Sequence, residues 1–297
     1  MISLDRLPRW SSESRARVLP SLLRLVVFVV FTVLFFWLLA GLLTRLVDDL
    51  VASTVGLFAA VLTTTAVMMR IYEVRPLYIV GLFANRIGVR HLGTGLVWGA
   101  GCSLAVVGAQ WAGGWARLER GPSLENWGPT LAFGVLILLV GATGEELFFR
   151  GYAFQHLIRA FGPRFSILVT SAIFAWAHAE NPAASPLGMV NTGLFGAVFG
   201  YAYWRTRDLW LPLGMHFAWN FSLAGIGANV SGIKMKLTAV SVVAAGSPLF
   251  SGGAYGPEAS LLTTGVLGIF LVFLWKRPQR RQELGILAER EAADELA

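Results

Sequence analysis

Eight stretches of this chain are apolar over nearly a full membrane thickness: 25–44, 51–69, 92–113, 130–149, 166–180, 187–204, 209–230 and 259–275. A helix needs about 20 predominantly apolar residues to cross the hydrocarbon core, where the backbone finds no partner but itself. The runs therefore predict an all-α fold, a polytopic membrane helix bundle of about eight transmembrane helices. The fourth, fifth and sixth are the weakest, being short or carrying polar residues. Charged residues make up only 14% of the chain, against roughly 25% in an ordinary soluble domain. That deficit argues against nucleic acid as a partner, although the net charge is +7. The lipid bilayer is the expected surrounding. The single cysteine, Cys102, excludes a disulfide framework and a cysteine-based metal site, and its apolar neighbours make it a packed helix residue.

Loop charges orient the spans. With the N-terminus in the cytoplasm, the inner segments hold 19 of the 24 lysines and arginines. The outer segments hold Arg45, Arg117, Arg120, Lys234 and Lys236. An asymmetry that agrees at every inner loop fits an even number of spans with both termini cytoplasmic. The organisation that follows is a basic cytoplasmic segment over 1–24, a membrane domain over 25–275, and a charged cytoplasmic tail over 276–297. The tail reads as a solvated helix. Gly193, Gly196 and Gly200 share a face of the sixth span, suited to close helix packing. No internal repeat is visible, which weighs against a transporter built on duplicated halves.

Ionisable residues inside a span are costly and point to function. Three clusters stand out, all in the second half of the chain. The first is Glu145-Glu146-x-x-x-Arg150, following the uncharged run 131–143. Glu146 and Arg150 are one turn apart and can pair. Glu145 points about 100° away, without a local partner, and is free to accept a proton. The second cluster is Phe174-x-x-x-His178, and the third is His216-x-x-x-Asn220. Each places two residues on one helix face. The bland alternatives are a charged helix end at the membrane surface, an interfacial histidine, and a structural interhelical hydrogen bond.

The spacing suggests that the clusters meet. The segment 130–160 reads as one continuous helix, and Gly162-Pro163 as a turn. A hairpin of 130–160 with 165–180 sets Glu145 and His178 level, with a tip containing Gln155, His156, Arg159 and Arg164 projecting into the cytoplasm. His216 lies eight residues past the charged loop Arg205–Asp208, at a similar depth. The site is therefore expected to be reached from the cytoplasmic side.

The three motifs in this order resemble the CAAX protease and bacteriocin-processing family of intramembrane proteases, whose best-known members are the type II CAAX prenyl endopeptidases. The resemblance covers roughly 90–275 and includes the Abi domain designation. It implies an intramembrane endopeptidase acting on a membrane-associated peptide or protein, a prenylated C-terminus being one such substrate. Peptide hydrolysis needs an activated water, a stabilised oxyanion and a protonated leaving amine. On this reading Glu145 is the general base, aided by His178. His216 and Asn220 donate to the oxyanion, and Asn220 also fixes the imidazole. Glu146 and Arg150 hold the motif helix, and Phe174 packs. A metalloprotease version competes, in which zinc is held by His178, His216 and Glu145 or Glu146, with the remaining carboxylate as base. The alternative to an enzyme is a membrane immunity or partner-binding protein that uses the polar cluster structurally.

Overall fold

The computed structural model describes residues 12–120, 127–277, 279–282 and 285–287. The start of the basic segment, with Arg6 and Arg9, and the acidic residues of the tail from Glu283 to Glu295 lie outside the described residues. In chain order the elements are α1 (Ser12–Leu43), α2 (Asp49–Met68), α3 (Arg86–Ala112), β1 (Ala116–Arg120), α4 (Trp127–Arg150) and α5 (Tyr152–Phe161). Then come α6 (Pro163–Ala177), α7 (Pro186–Thr206), α8 (Trp210–Gly225), β2 (Asn229–Val230), β3 (Ile233–Lys234), β4 (Val240–Ala244), α9 (Pro248–Ser251) and α10 (Leu261–Lys276).

Each of the eight apolar runs coincides with a helix. Among the described residues, four stretches are long and apolar enough to cross a membrane: Val18–Leu43, Asp49–Glu73, Arg86–Ala112 and Trp127–Phe161. The helices α6 and α10 are apolar but shorter. Side chains are sorted as lipid demands. On α1, Leu19, Leu23, Phe31, Leu34 and Trp37 face outward while Thr32 is buried. Soluble proteins rarely expose so continuous an apolar surface. This is an integral membrane helix bundle.

Local chemistry sets the helix ends. Asp48 caps α2 by accepting from the Val51 amide at 3.0 Å, and Asn85 caps α3 through the Gly88 amide at 2.9 Å. Ser185 and Ser260 do the same for α7 and α10. An oxygen at this position satisfies a backbone N–H that the helix leaves unpaired. At the α5–α6 turn, Gly162 adopts φ +81° and Pro163 starts the next helix, as the dipeptide predicts.

The bundle has two chemically distinct ends. At one, Arg24 donates to Glu73 at 2.9 Å, His91 pairs with Asp208 at 2.6 Å, and Arg205 donates to the Leu274 carbonyl at 2.7 Å. This is the basic end, where α1 and α3 begin and α10 finishes. Asn85 and Gln282 exchange amide hydrogen bonds of 2.9 and 3.1 Å there, and Gln282 also donates to Asp208 at 3.2 Å. At the other end β1 pairs antiparallel with β4, from Ala116↔Ala244 to Arg120↔Val240, and β2 pairs with β3. Asn191 there donates to the Glu258 and Ser260 carbonyls at 2.7 and 2.9 Å.

The fold is predominantly helical, and the loops at the second end add two small two-stranded sheets. Three expectations are corrected. The segment 130–160 is not continuous. Gly151 leaves the helical conformation with ψ −125°, and a Cβ there would stand 2.2 Å from the Leu147 carbonyl oxygen. The turn near Gly162 is no projecting tip, since α5 folds inward and buries Tyr152, Phe154, Gln155 and His156. Its cover comes from α1 and from the segment 69–83, whose Met69, Ile79, Val80 and Phe83 are also buried. Finally, the described part of the tail is only partly solvated: Arg280 and Arg281 are exposed, but Gln282, Ile286 and Leu287 are buried against the basic end.

Helix α8, which carries His216 and Asn220, is clamped by α3 through backbone-to-backbone contact. A Cβ at Gly95 would lie 2.4 Å from the Leu211 carbonyl oxygen, and one at Gly99 2.3 Å from that of Met215. On the reciprocal glycine, Gly214, a Cβ would lie 2.6 Å from the Leu92 carbonyl oxygen. Only glycine permits this approach. The expected glycine face of α7 packs on α6, where a Cβ at Gly196 would meet the Ser171 Cα at 2.8 Å.

Candidate active site

A cavity of about 460 Å³ is lined by Glu145, His178, His216 and Asn220 together. The three motifs therefore meet, although they come from α4, the C-terminal cap of α6, and α8. Glu145 Oε2 stands 4.0 Å from His178 Nε2 and 3.8 Å from His216 Nε2. It is shut away from solvent and has no hydrogen-bond partner. Buried polar atoms are almost always partnered, so this oxygen is placed to receive something that enters the cavity.

Both imidazoles are held from behind. His178 Nδ1 lies 2.8 Å from the Phe174 carbonyl oxygen, one helical turn earlier. A carbonyl can only accept, so we assign the proton of neutral His178 to Nδ1, which leaves Nε2 as an acceptor facing Glu145. His216 Nδ1 lies 2.9 Å from Glu146 Oε1. The expected role of Asn220 in fixing this imidazole is thus filled by Glu146. Asn220 lines the cavity one turn along α8.

The carboxylate of Glu146 is itself anchored. Arg150 Nη1 donates to Glu146 Oε1 at 3.0 Å, and both side chains are buried. Arg150 also donates to the Gly196 carbonyl at 3.2 Å. Its guanidinium lies 4.7 Å from the centre of the Phe174 ring, 5.3 Å from Phe199 and 5.4 Å from Phe149. Aromatic faces attract a desolvated cation. Phe174 therefore packs, as expected, and also faces the guanidinium; its ring lies 4.6 Å from that of His178. His216 stacks on Phe199 at 5.1 Å and 17°.

Zinc is the ion that the resemblance raises. Two ligands on a tetrahedral zinc ion stand about 3.4 Å apart, given bonds near 2.1 Å. The separations of 3.8 and 4.0 Å from Glu145 to the two histidines are wider. Among the described residues no group of three His, Cys, Asp or Glu side chains is arranged to hold a metal ion. The side chains as placed do not fit zinc.

Residues 126–222 match the family model for type II CAAX prenyl endopeptidase Rce1-like proteins. The matched segment is the motif-bearing one. It holds every one of the motif residues, Glu145 to Asn220. The uncharacterized protein YyaK of Bacillus subtilis (strain 168) is 29% identical over 129 residues, which is 40% of this chain. The match spans 42% of that protein's length. No solved structure matches.

One residue beside the Rce1-like segment escaped the sequence reading. Glu258, in a turn before α10, also lines the cavity and is buried. It accepts from Trp219 Nε1 at 3.1 Å, from the Ser231 hydroxyl at 3.0 Å and from the Ser231 amide. Ser231 is held at φ 48°, a left-handed conformation uncommon for a side chain. Burial pushes the Glu258 carboxyl above the usual carboxylate range, outweighing these donors. In sequence it looks like a solvated loop charge, since its partners are 27 and 39 residues away.

Proposed function

We propose that the protein is an intramembrane endopeptidase that hydrolyses a peptide bond of a membrane-associated substrate, with Glu145 activating the water. The observation that carries this reading is the convergence of His178 Nε2 and His216 Nε2 on the unpartnered Oε2 of Glu145. The Rce1-like match over 126–222 supports it.

In the proposed reaction a water binds between Glu145 and His178. Glu145 takes a proton from it as the water oxygen bonds to the scissile carbonyl carbon and the carbonyl electrons move to oxygen. Asn220 donates to the oxyanion. His216 donates as well when Nε2 carries a proton, as an imidazolium paired with Glu146. The carbonyl then re-forms, the C–N bond breaks, and the proton on Glu145 passes to the leaving amine. Water and peptide become a carboxylic acid and an amine. Pre-aimed donors at a developing charge contribute most in a site that excludes water, and the Phe149, Phe174 and Phe199 rings supply that exclusion. A prenylated C-terminus suits the cavity's apolar wall of Phe36, Leu57 and Leu138.

The test is to incubate the purified protein with candidate membrane peptides and identify new termini by mass spectrometry. Loss of a general base removes about 10²- to 10⁴-fold of rate, so Glu145→Gln should abolish the products at normal abundance. Products that persist in Glu145→Gln, or none from wild type across the peptide set, favour a non-enzymatic partner-binding role.

A further inference from the structure

Glu258 lies beyond the matched segment 126–222, yet its bonds reach two of the three motifs. Its backbone is fixed first. The Glu258 carbonyl accepts from Asn191 Nδ2 on α7 at 2.7 Å, and Asn191 Oδ1 accepts from the Thr264 hydroxyl on α10 at 2.7 Å. Asn191 is fully buried. Tyr255, three residues before Glu258, is buried as well, with its hydroxyl 3.4 Å from Thr192 Oγ1. The carboxyl group thus lines the cavity from a base tied to α7 and α10.

From that base the two carboxyl oxygens serve different elements. Oε1 accepts from Trp219 Nε1 at 3.1 Å. Trp219 directly precedes Asn220 on α8 and lies three residues after His216. Oε2 accepts from both the amide and the hydroxyl of Ser231. The turn held in this way grips the segment after His178. The Ser231 carbonyl accepts from Asn181 Nδ2 at 3.1 Å, and a Cβ at Gly232 would collide with the Pro182 carbonyl oxygen. Asn181 in turn donates its backbone N–H to the His178 carbonyl at 3.1 Å. His178 depends on such support, because it stands past the last residue of α6, where the regular helix ladder has ended. We propose that Glu258 is a positioning residue for the hydrolysis, holding His178 through Ser231 and Asn181, and Asn220 through Trp219, so that both keep their places beside Glu145. The proposal rests on the endopeptidase reading for the reaction and on these bonds for the geometry. The chemistry calls for a carboxyl group. An amide offers one acceptor oxygen, so in Glu258→Gln either Trp219 or Ser231 faces an N–H donor.

The test uses the full chain in lipid nanodiscs. A misplacement of about 1 Å at a reacting group costs about 10²-fold in rate, so Glu258→Gln should lower kcat for the Glu145-dependent products by roughly 10- to 100-fold per folded protein. KM should stay unchanged, because the bonds lost act on the transition state. Asn181→Ala leaves Glu258 intact and cuts its link to His178. It should lower kcat in the same way, and the two changes together should cost less than the product of the single losses. A role in stability alone lowers the folded fraction and leaves kcat per folded protein where it was. A further readout needs no hydrolysis. The chain has four histidines, so ¹⁵N-histidine labelling gives a short imidazole spectrum in which His178→Ala assigns the His178 signal. Glu258→Gln and Asn181→Ala should both shift that signal and leave in place those of His91 and His156, whose partners Asp208 and Glu73 lie at the basic end. If Glu258→Gln does not fold, Asn181→Ala and Trp219→Phe read the two branches singly, each with part of the kcat loss. An unmoved His178 signal overturns the proposal, as does wild-type kcat in the folded variants or single losses that multiply in full. Absence of Glu145-dependent products from wild type defeats the peptidase reading instead, and the His178 signal then still decides whether Glu258 holds this imidazole.

Discussion

Glu146→Gln isolates the buried ion pair beneath the site. The substitution keeps the size of the side chain and an oxygen that can still accept from His216 Nδ1, now 2.9 Å away. It removes the one carboxylate that, among the described residues, is hydrogen-bonded to Arg150, whose side chain is fully buried. Breaking a buried pair from one side costs about 3–5 kcal/mol, because a charge is left without compensation. The Gly196 carbonyl and the three phenylalanine rings do not reduce this cost, since they already contact Arg150 in the intact protein. At about 2–4 °C per kcal/mol for chains of 150–250 residues, the melting temperature should fall by roughly 6–20 °C. The double variant Glu146→Gln/Arg150→Met removes both charges and should lose less than Glu146→Gln alone. Thermal unfolding in lipid nanodiscs, followed by tryptophan fluorescence and confirmed by size exclusion, measures both. A fall below about 3 °C for Glu146→Gln, or a double variant as unstable as the two single losses added together, would refute the reasoning.

Further outcomes are expected at two places, the α3–α8 contact and Glu258. Gly95→Val forces α3 away from the Leu211 carbonyl and should cost at least about 1–3 kcal/mol, with cleavage falling because His216 rides on the displaced helix. Gly101→Ala, which meets nothing within 4 Å, should leave both thermal stability and cleavage unchanged. Glu258→Leu should cost about 1–3 kcal/mol for each donor stranded on Trp219 and Ser231, measured by the same unfolding assay, with Glu258→Gln milder. Because burial raises the folded carboxyl above its unfolded value, its stabilising contribution is present below the unfolded pKa and lost as pH rises through the folded one. Unfolding curves should therefore show wild type gaining on Glu258→Gln as the pH is lowered from neutral.

The candidate site was legible because polar residues inside apolar runs are rare and must meet one another. Glu146 and Arg150 announced their pairing by spacing alone. The Gly95-x-x-x-Gly99 pair went unread beside the glycine face of α7, and its partner, α8, is fixed only by tertiary contact. What the sequence hid was set by surfaces distant in the chain. Gln155 and His156 look like solvated tip residues until the segment 69–83 covers them. Gly151 sits inside an unbroken helical pattern, where a glycine is ordinarily tolerated, and only its approach to Leu147 shows the break. Glu258 has no local pattern, because its ligands are a tryptophan on α8 and a strained turn.

The amide exchange between Asn85 and Gln282 joins positions 197 residues apart. Synthesis at roughly 5–20 residues per second puts about 10–40 s between the two. Through that interval Asn85 stands without this partner and its amide needs water, while Asp208, 74 residues before Gln282, waits a shorter time with His91 already beside it. The latch can therefore close only after α10 has been made, which makes sealing of this end a late step in biogenesis. A chain stalled before Gln282 would carry all three motifs in full yet leave their supporting end unfastened.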